Sequence, residues 1–115
     1  MNAEKYLPIG TVVLLKGGTK RVMIVGFCTM DLETNSKMSD YTGCFYPEGI
    51  FTLDKILAFN HKDIDKIFHL GLADTEHIQF RTRLKDLMKN VADEDGNLLI
   101  SPDKLSAMNN NNNNN

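Results

Sequence analysis

The segment from Leu7 to Gly26 constrains the fold of this chain more than any other stretch. Two arms crowded with β-branched and aliphatic residues, Val12-Val13-Leu14-Leu15 and Val22-Met23-Ile24-Val25, flank Gly17-Gly18. Side chains of that kind suit a pleated, half-buried surface, and glycine supplies the positive φ that a tight hairpin turn needs. Pro8 and Gly10 set the entry to the first arm. The segment therefore predicts a β-hairpin, and it carries no chemistry of its own. With 115 residues in total, the chain has enough length for one core but not for two.

Short apolar runs and turn residues continue to alternate downstream. Tyr41-Thr42-Gly43-Cys44-Phe45-Tyr46 reads as a third strand, closed by Pro47-Glu48-Gly49, where proline presets φ and glycine takes the left-handed position. Ile56 to Asn60 is a fourth apolar run, and His61 to Ile64 a single turn. Asp65 to Leu70 is a fifth strand, anchored by Ile67, Phe68 and Leu70. The expected fold class is α+β: a small curled antiparallel β-sheet or SH3-like barrel of about five strands, followed by one amphipathic C-terminal helix. That helix starts at a cap on Asp74 or Thr75. Phe80, Leu84, Leu87, Met88 and Val91 form its apolar stripe at helical period, with Ile78 on the far side. Residues 1–91 are thus expected to form a single domain. Residues 92–108 make a short tail, with Asp95-Gly96-Asn97 as a turn and Ser101-Pro102-Asp103 as a cap for one more. The asparagine run 109–115 cannot bury apolar surface and is expected to be disordered.

Composition narrows the function classes. A net charge of −2 and a pI near 5.9 give no general attraction to nucleic acid or anionic membrane. Met1 to Lys5 is polar and no apolar stretch of signal-peptide length follows, so a cytoplasmic location is expected, with Cys28 and Cys44 as reduced thiols. Gly17-Gly18-Thr19-Lys20 lacks the Gly-Lys-Ser/Thr triplet of a phosphate loop and precedes a strand instead of a helix. His61, His69 and His77 recur at a spacing of eight, which matches no metal-ligand pattern. A Cys-His nucleophilic pair would need an activating third group that cannot be assigned from sequence. No catalytic residue, metal or cofactor is expected, and the chain does not read as an enzyme.

What is left is surface. Tyr41, Phe45, Tyr46, Phe51 and Phe59 place most of the aromatic content around one turn-rich segment. Alternation along the third strand puts Tyr41, Gly43 and Phe45 on one face and Thr42, Cys44 and Tyr46 on the other. One face belongs to the core, so aromatics on the other are available for recognition. The loop Tyr46-Pro47-Glu48-Gly49 has the rigidity and charge of a docking loop. Acidic Asp31, Glu33, Asp40 and Glu48 would steer toward a basic client.

Four ordered motifs carry a family resemblance. They are Leu7-Pro8-Ile9-Gly10 with Val12 to Lys16, Met23 to Gly26, Tyr41-Thr42-Gly43 with Tyr46 to Gly49, and Phe59 to Ile64. Over about residues 6 to 91 the chain resembles a small bacterial domain-of-unknown-function family encoded in type VII secretion (ESX-like) loci of Firmicutes, beside LXG toxins. The resemblance implies a cytoplasmic accessory protein, in some members a targeting chaperone that binds a toxin before export. The residues assigned to the partner surface are Tyr41, Tyr46, Pro47, Glu48, Phe59, Asn60 and His61. Two other readings are carried with it: an immunity protein that neutralises a co-encoded toxin, and a nucleic-acid-binding small β-barrel, which the acidic balance disfavours.

Overall fold

A computed structural model describes residues 4–30 and 37–100. Asp31 and Glu33, the Ser101-Pro102-Asp103 cap and the asparagine run lie outside the described residues. The strands are β1 (Val12–Leu15), β2 (Val22–Met30), β3 (Met38–Phe45), β4 (Leu57–Phe59) and β5 (Ile64–His69), followed by the helix α1 (Thr75–Met88). They form one antiparallel five-stranded sheet in the order β4-β3-β2-β1-β5.

Chain geometry makes this sheet roll. β4 and β5 are consecutive in sequence yet occupy opposite edges. In a flat sheet those edges would lie four interstrand spacings apart, about 19 Å. Five Cα steps from Phe59 to Ile64 span at most about 18 Å, and part of that length is a 3-10 turn at His61–Asp63. The edges must therefore approach one another. A register shift between Ile24 and Gly26 in β2, and two more where β1 meets β5, supply the bend. The sheet nevertheless stays open: no β4–β5 ladder forms among the described residues, so the curled sheet, and not the closed barrel, is the architecture.

The concave side holds the core: Leu7, Val13, Val22, Ile24, Tyr41, Phe59 and Ile64, with Leu15, Phe27, Phe45, Leu57 and Ile67 packed around them. Gly43 is required there. A Cβ at that position would stand 2.7 Å from Val22 Cγ1 and 2.8 Å from Phe59 Cε1, closer than any side chain tolerates. Val12 and Cys44 are buried on the opposite face, so β3 is covered on both sides.

Three local expectations are corrected. The first connection is longer than a two-residue glycine turn: a turn at Leu15–Gly18, with Gly17 at φ +78° and Gly18 N donating to Leu15 O at 2.9 Å, is followed by further loop up to Val22. β1 pairs with β2 only at Val12↔Met23 and Val13↔Val22, whereas it pairs with β5 along its whole length, from Val12↔His69 to Leu15↔Ile64. In β5 the inward residues are Ile64 and Ile67, while Phe68 and Leu70 are exposed. Asp65 and Phe68 are skipped in the β1 register, and each skip breaks the simple alternation. The helix begins where expected, with Asp74 accepting from His77 N at 3.0 Å, and Ile78 is exposed. It buries no residue fully, however. Its inner side runs through His77, Arg81, Leu84, Lys85 and Met88, which leaves Phe80 and Leu87 substantially exposed at the margin. Phe80 touches Phe27, with centroids 5.7 Å apart, and Lys85 pairs with Glu4. Beyond the helix Val91 is buried, and residues 92–100 fold back on the start of β3, where Met38 N donates to Gly96 O at 2.8 Å.

Candidate functional site

The seven residues assigned to a partner surface separate into two sets at opposite ends of β3. The first is built around Tyr41, which is fully buried. Its hydroxyl accepts from the backbone N–H of Tyr6 at 2.9 Å and of Leu7 at 3.1 Å, and lies 2.8 Å from His61 Nδ1. Two backbone donors occupy its lone pairs, so the phenolic proton is directed to His61 Nδ1. Burial pushes the Tyr41 pKa up to about 12, outweighing those two hydrogen bonds, and the group keeps its proton at neutral pH. The ring stacks on Phe59, centroids 5.3 Å apart, and leans on Phe27 and Tyr6.

Polar groups extend this cluster outward. His61 N donates to Asp40 Oδ2 at 2.9 Å, and Asp40 Oδ1 pairs with Lys5 Nζ at 3.1 Å. Asp40 N donates to Asn60 Oδ1 at 3.0 Å, and Asn60 N to Asp63 Oδ2 at 2.9 Å, a capping box on the 3-10 turn. The set binds the N-terminal segment, β3 and the 3-10 turn into one unit. Tyr41 and Phe59 are core residues with almost no surface for a partner, whereas Asn60 and His61 are half-buried at the rim.

Tyr46, Pro47 and Glu48 form the second set, about 16 Å along the strand from Tyr41. All three are exposed, beyond a cis Tyr46–Pro47 bond and before Gly49 at φ +78°. Glu48 Oε1 pairs with Lys20 Nζ at 2.7 Å, which holds its carboxyl below the usual range. Both described acids of the expected steering set, Asp40 and Glu48, are thus already matched by lysines.

Next to this second set lies a feature outside the seven assigned residues. Ile50, Phe51 and Leu53 are 52%, 85% and 81% exposed, and they lead directly into the edge strand β4. Apolar side chains thus open to water within one short loop that follows the exposed Tyr46 in sequence, a feature of the kind that interaction surfaces carry. Their sequence signal is weak: Ile50-Phe51-Thr52-Leu53 follows a turn and has neither helical nor alternating period. The sheet edges themselves are less suited to receive a client strand. β4 has three residues, and β5 carries two bulges and the charged Asp65 and Lys66.

Among the described residues, no three His, Cys, Asp or Glu side chains are placed to hold a metal ion. The Cys28 thiol, at φ +56°, is pushed up to about 11, mainly by burial, and therefore stays protonated. Cys44 is buried in the sheet and its pKa is likewise raised. His61, His69 and His77 lie on the 3-10 turn, β5 and α1 respectively. A cavity of about 340 Å³ sits between the start of β3 and the end of α1, with Tyr6, Cys28, Asp40, Lys85 and Met88 in its wall. No described helix is long and apolar enough to cross a membrane.

The profile of a domain family of unknown function, DUF4176, matches residues 6–80. The chain belongs to that family. The matched span of this DUF4176 protein takes in the whole sheet, both halves of the Tyr41 cluster and the Ile50–Leu53 loop, and it ends inside α1. No curated protein and no solved structure matches the chain.

Proposed function

We propose that this DUF4176 protein works by holding another polypeptide, as a cytoplasmic targeting chaperone for a type VII-secreted toxin of the LXG kind before export. The observation that carries the reading is the loop Ile50-Phe51-Thr52-Leu53, which offers apolar side chains to water. Covering Phe51 and Leu53 gains about 1.5–3 kcal/mol for each side chain. That gain alone falls short of the roughly 8 kcal/mol of micromolar affinity, so the contact extends over Tyr46 and neighbouring surface. The secretion setting comes from the family resemblance of the four motifs.

The test pairs binding with export. Purified chain and the toxin region encoded beside it should form a complex, and deletion of the gene should stop toxin secretion without harming the producer. Self-intoxication of the deletion strain with secretion intact would make the protein an immunity factor. Failure of the two proteins to bind would remove the proposal altogether.

A further inference from the structure

We infer that the outer face of the sheet contains a second recognition element, a groove that takes an acidic side chain of the bound polypeptide. This deepens the reading above and rests on it. Gly10, Val12, Arg21, Met23, Tyr46, Phe68 and His69 line an open groove of about 460 Å³. The Arg21 guanidinium carbon lies 4.9 Å from the Tyr46 ring centroid and 5.5 Å from that of Phe68. A ring from the turn after β3 and one from β5 therefore hold one cation, and Arg21 O accepts from Tyr46 N at 2.9 Å, which fixes the backbone beneath it.

Charge complementarity selects the occupant. Arg21 shares the lack of a carboxylate partner with Lys16, Lys55, Lys62 and Lys66, but among the described residues it is the unpaired cation seated against aromatic rings; Lys5, over the Tyr6 ring, is paired with Asp40. Guanidinium presents a planar fork of N–H donors matched to a carboxylate, and aromatic neighbours hold that fork in place at low entropic cost. The floor below it is apolar, formed by Val12 and Met23. The geometry thus fits an aspartate or glutamate flanked by an apolar residue. Asp40 and Glu48, the described acids expected to steer a basic client, are already paired with Lys5 and Lys20. The unmatched charge in the groove is positive.

A random-peptide phage library panned on the intact chain tests this even while the client is unidentified. Selected peptides should carry Asp or Glu beside an apolar residue. Arg21→Gln should weaken them by about tenfold or more, Arg21→Lys should restore only part of the loss, and added salt should weaken the wild type more than the Gln variant. Thermal unfolding of both variants checks that this exposed position leaves the fold intact. Peptides without an acid, equal binding by Arg21→Gln, or no enrichment at all would each overturn the inference. Binding of the toxin region to wild type and to Arg21→Gln separates the two ideas. Equal binding by both removes the groove and leaves the chaperone reading standing, and binding by neither removes the chaperone reading.

Discussion

Replacing Tyr41 by phenylalanine removes one oxygen and isolates the role of the polar cluster from that of the ring. The ring stays among Tyr6, Phe27 and Phe59, so little apolar contact is lost. What disappears is the acceptor for two backbone N–H groups, Tyr6 at 2.9 Å and Leu7 at 3.1 Å, and the donor to His61 Nδ1. Tyr6 and Leu7 are themselves buried. A buried donor left unsatisfied costs about 1–3 kcal/mol, so the two together should cost about 2–5 kcal/mol. That is a large share of the roughly 5–15 kcal/mol by which small domains are stable. Urea unfolding followed by circular dichroism reads it directly. With a denaturant slope of about 1.5 kcal/mol per molar, a loss of 3 kcal/mol lowers the midpoint by about 2 M. A midpoint shift below about 0.3 M would refute the reasoning, because it would mean that the N-terminal segment does not depend on this hydroxyl.

Three further outcomes are expected. Gly43→Ala should cost about 1–3 kcal/mol or more in the same assay, since its Cβ meets Val22 and Phe59 at 2.7 and 2.8 Å and neither has room to retreat. Asp74→Ala should lower stability by about 1 kcal/mol through the lost acceptor for His77 N, with a small drop in helical ellipticity. His77 has a pKa below the ordinary imidazole value, chiefly because burial disfavours the charged ring and Arg81 adds to the effect; its Nε2 is buried with no hydrogen-bond partner. The folded state thus prefers the neutral ring, so the stability it contributes is complete above about pH 6.5 and is lost as pH falls from there through the lower folded-state pKa. Urea midpoints measured from about pH 8 down to pH 5 should fall for the wild type and fall less for His77→Gln.

Much of the fold was legible because turn residues punctuate it. Gly17, Pro47-Glu48-Gly49 and Asn60 to Asp63 end strands by local rules that need no tertiary information. Misreadings cluster where tertiary pairing overrides period. β1 pairs over its whole length with the distant β5 and only at Val12 and Val13 with β2, a long-range choice invisible in the local pattern, and the skips at Asp65 and Phe68 turn an apparent anchor into surface. On the helix Lys85 faces inward to pair with Glu4, and the fully buried apolar contact comes from Val91, just beyond the helix. For the site, proximity of aromatics in sequence did not tell which of them are buried and which are exposed. Tyr41 and Phe59 cross the core from paired strands, whereas Phe51 falls in a loop that nothing described covers. Alternation cannot tell which face of β3 is inside when both Tyr41 and Cys44 are buried.

The most direct measurement of the proposed function is the affinity of its proposed client, a toxin region encoded beside the gene, for the intact protein and for the double variant Phe51→Ser/Leu53→Ser, by isothermal titration calorimetry. Both positions are largely in water, so the variant should unfold at nearly the wild-type midpoint, within about 0.5 kcal/mol. A complex with the wild type that weakens by about tenfold or more in the folded variant is the predicted result. Equal affinity for the two proteins, or no heat of binding with either, would contradict the account.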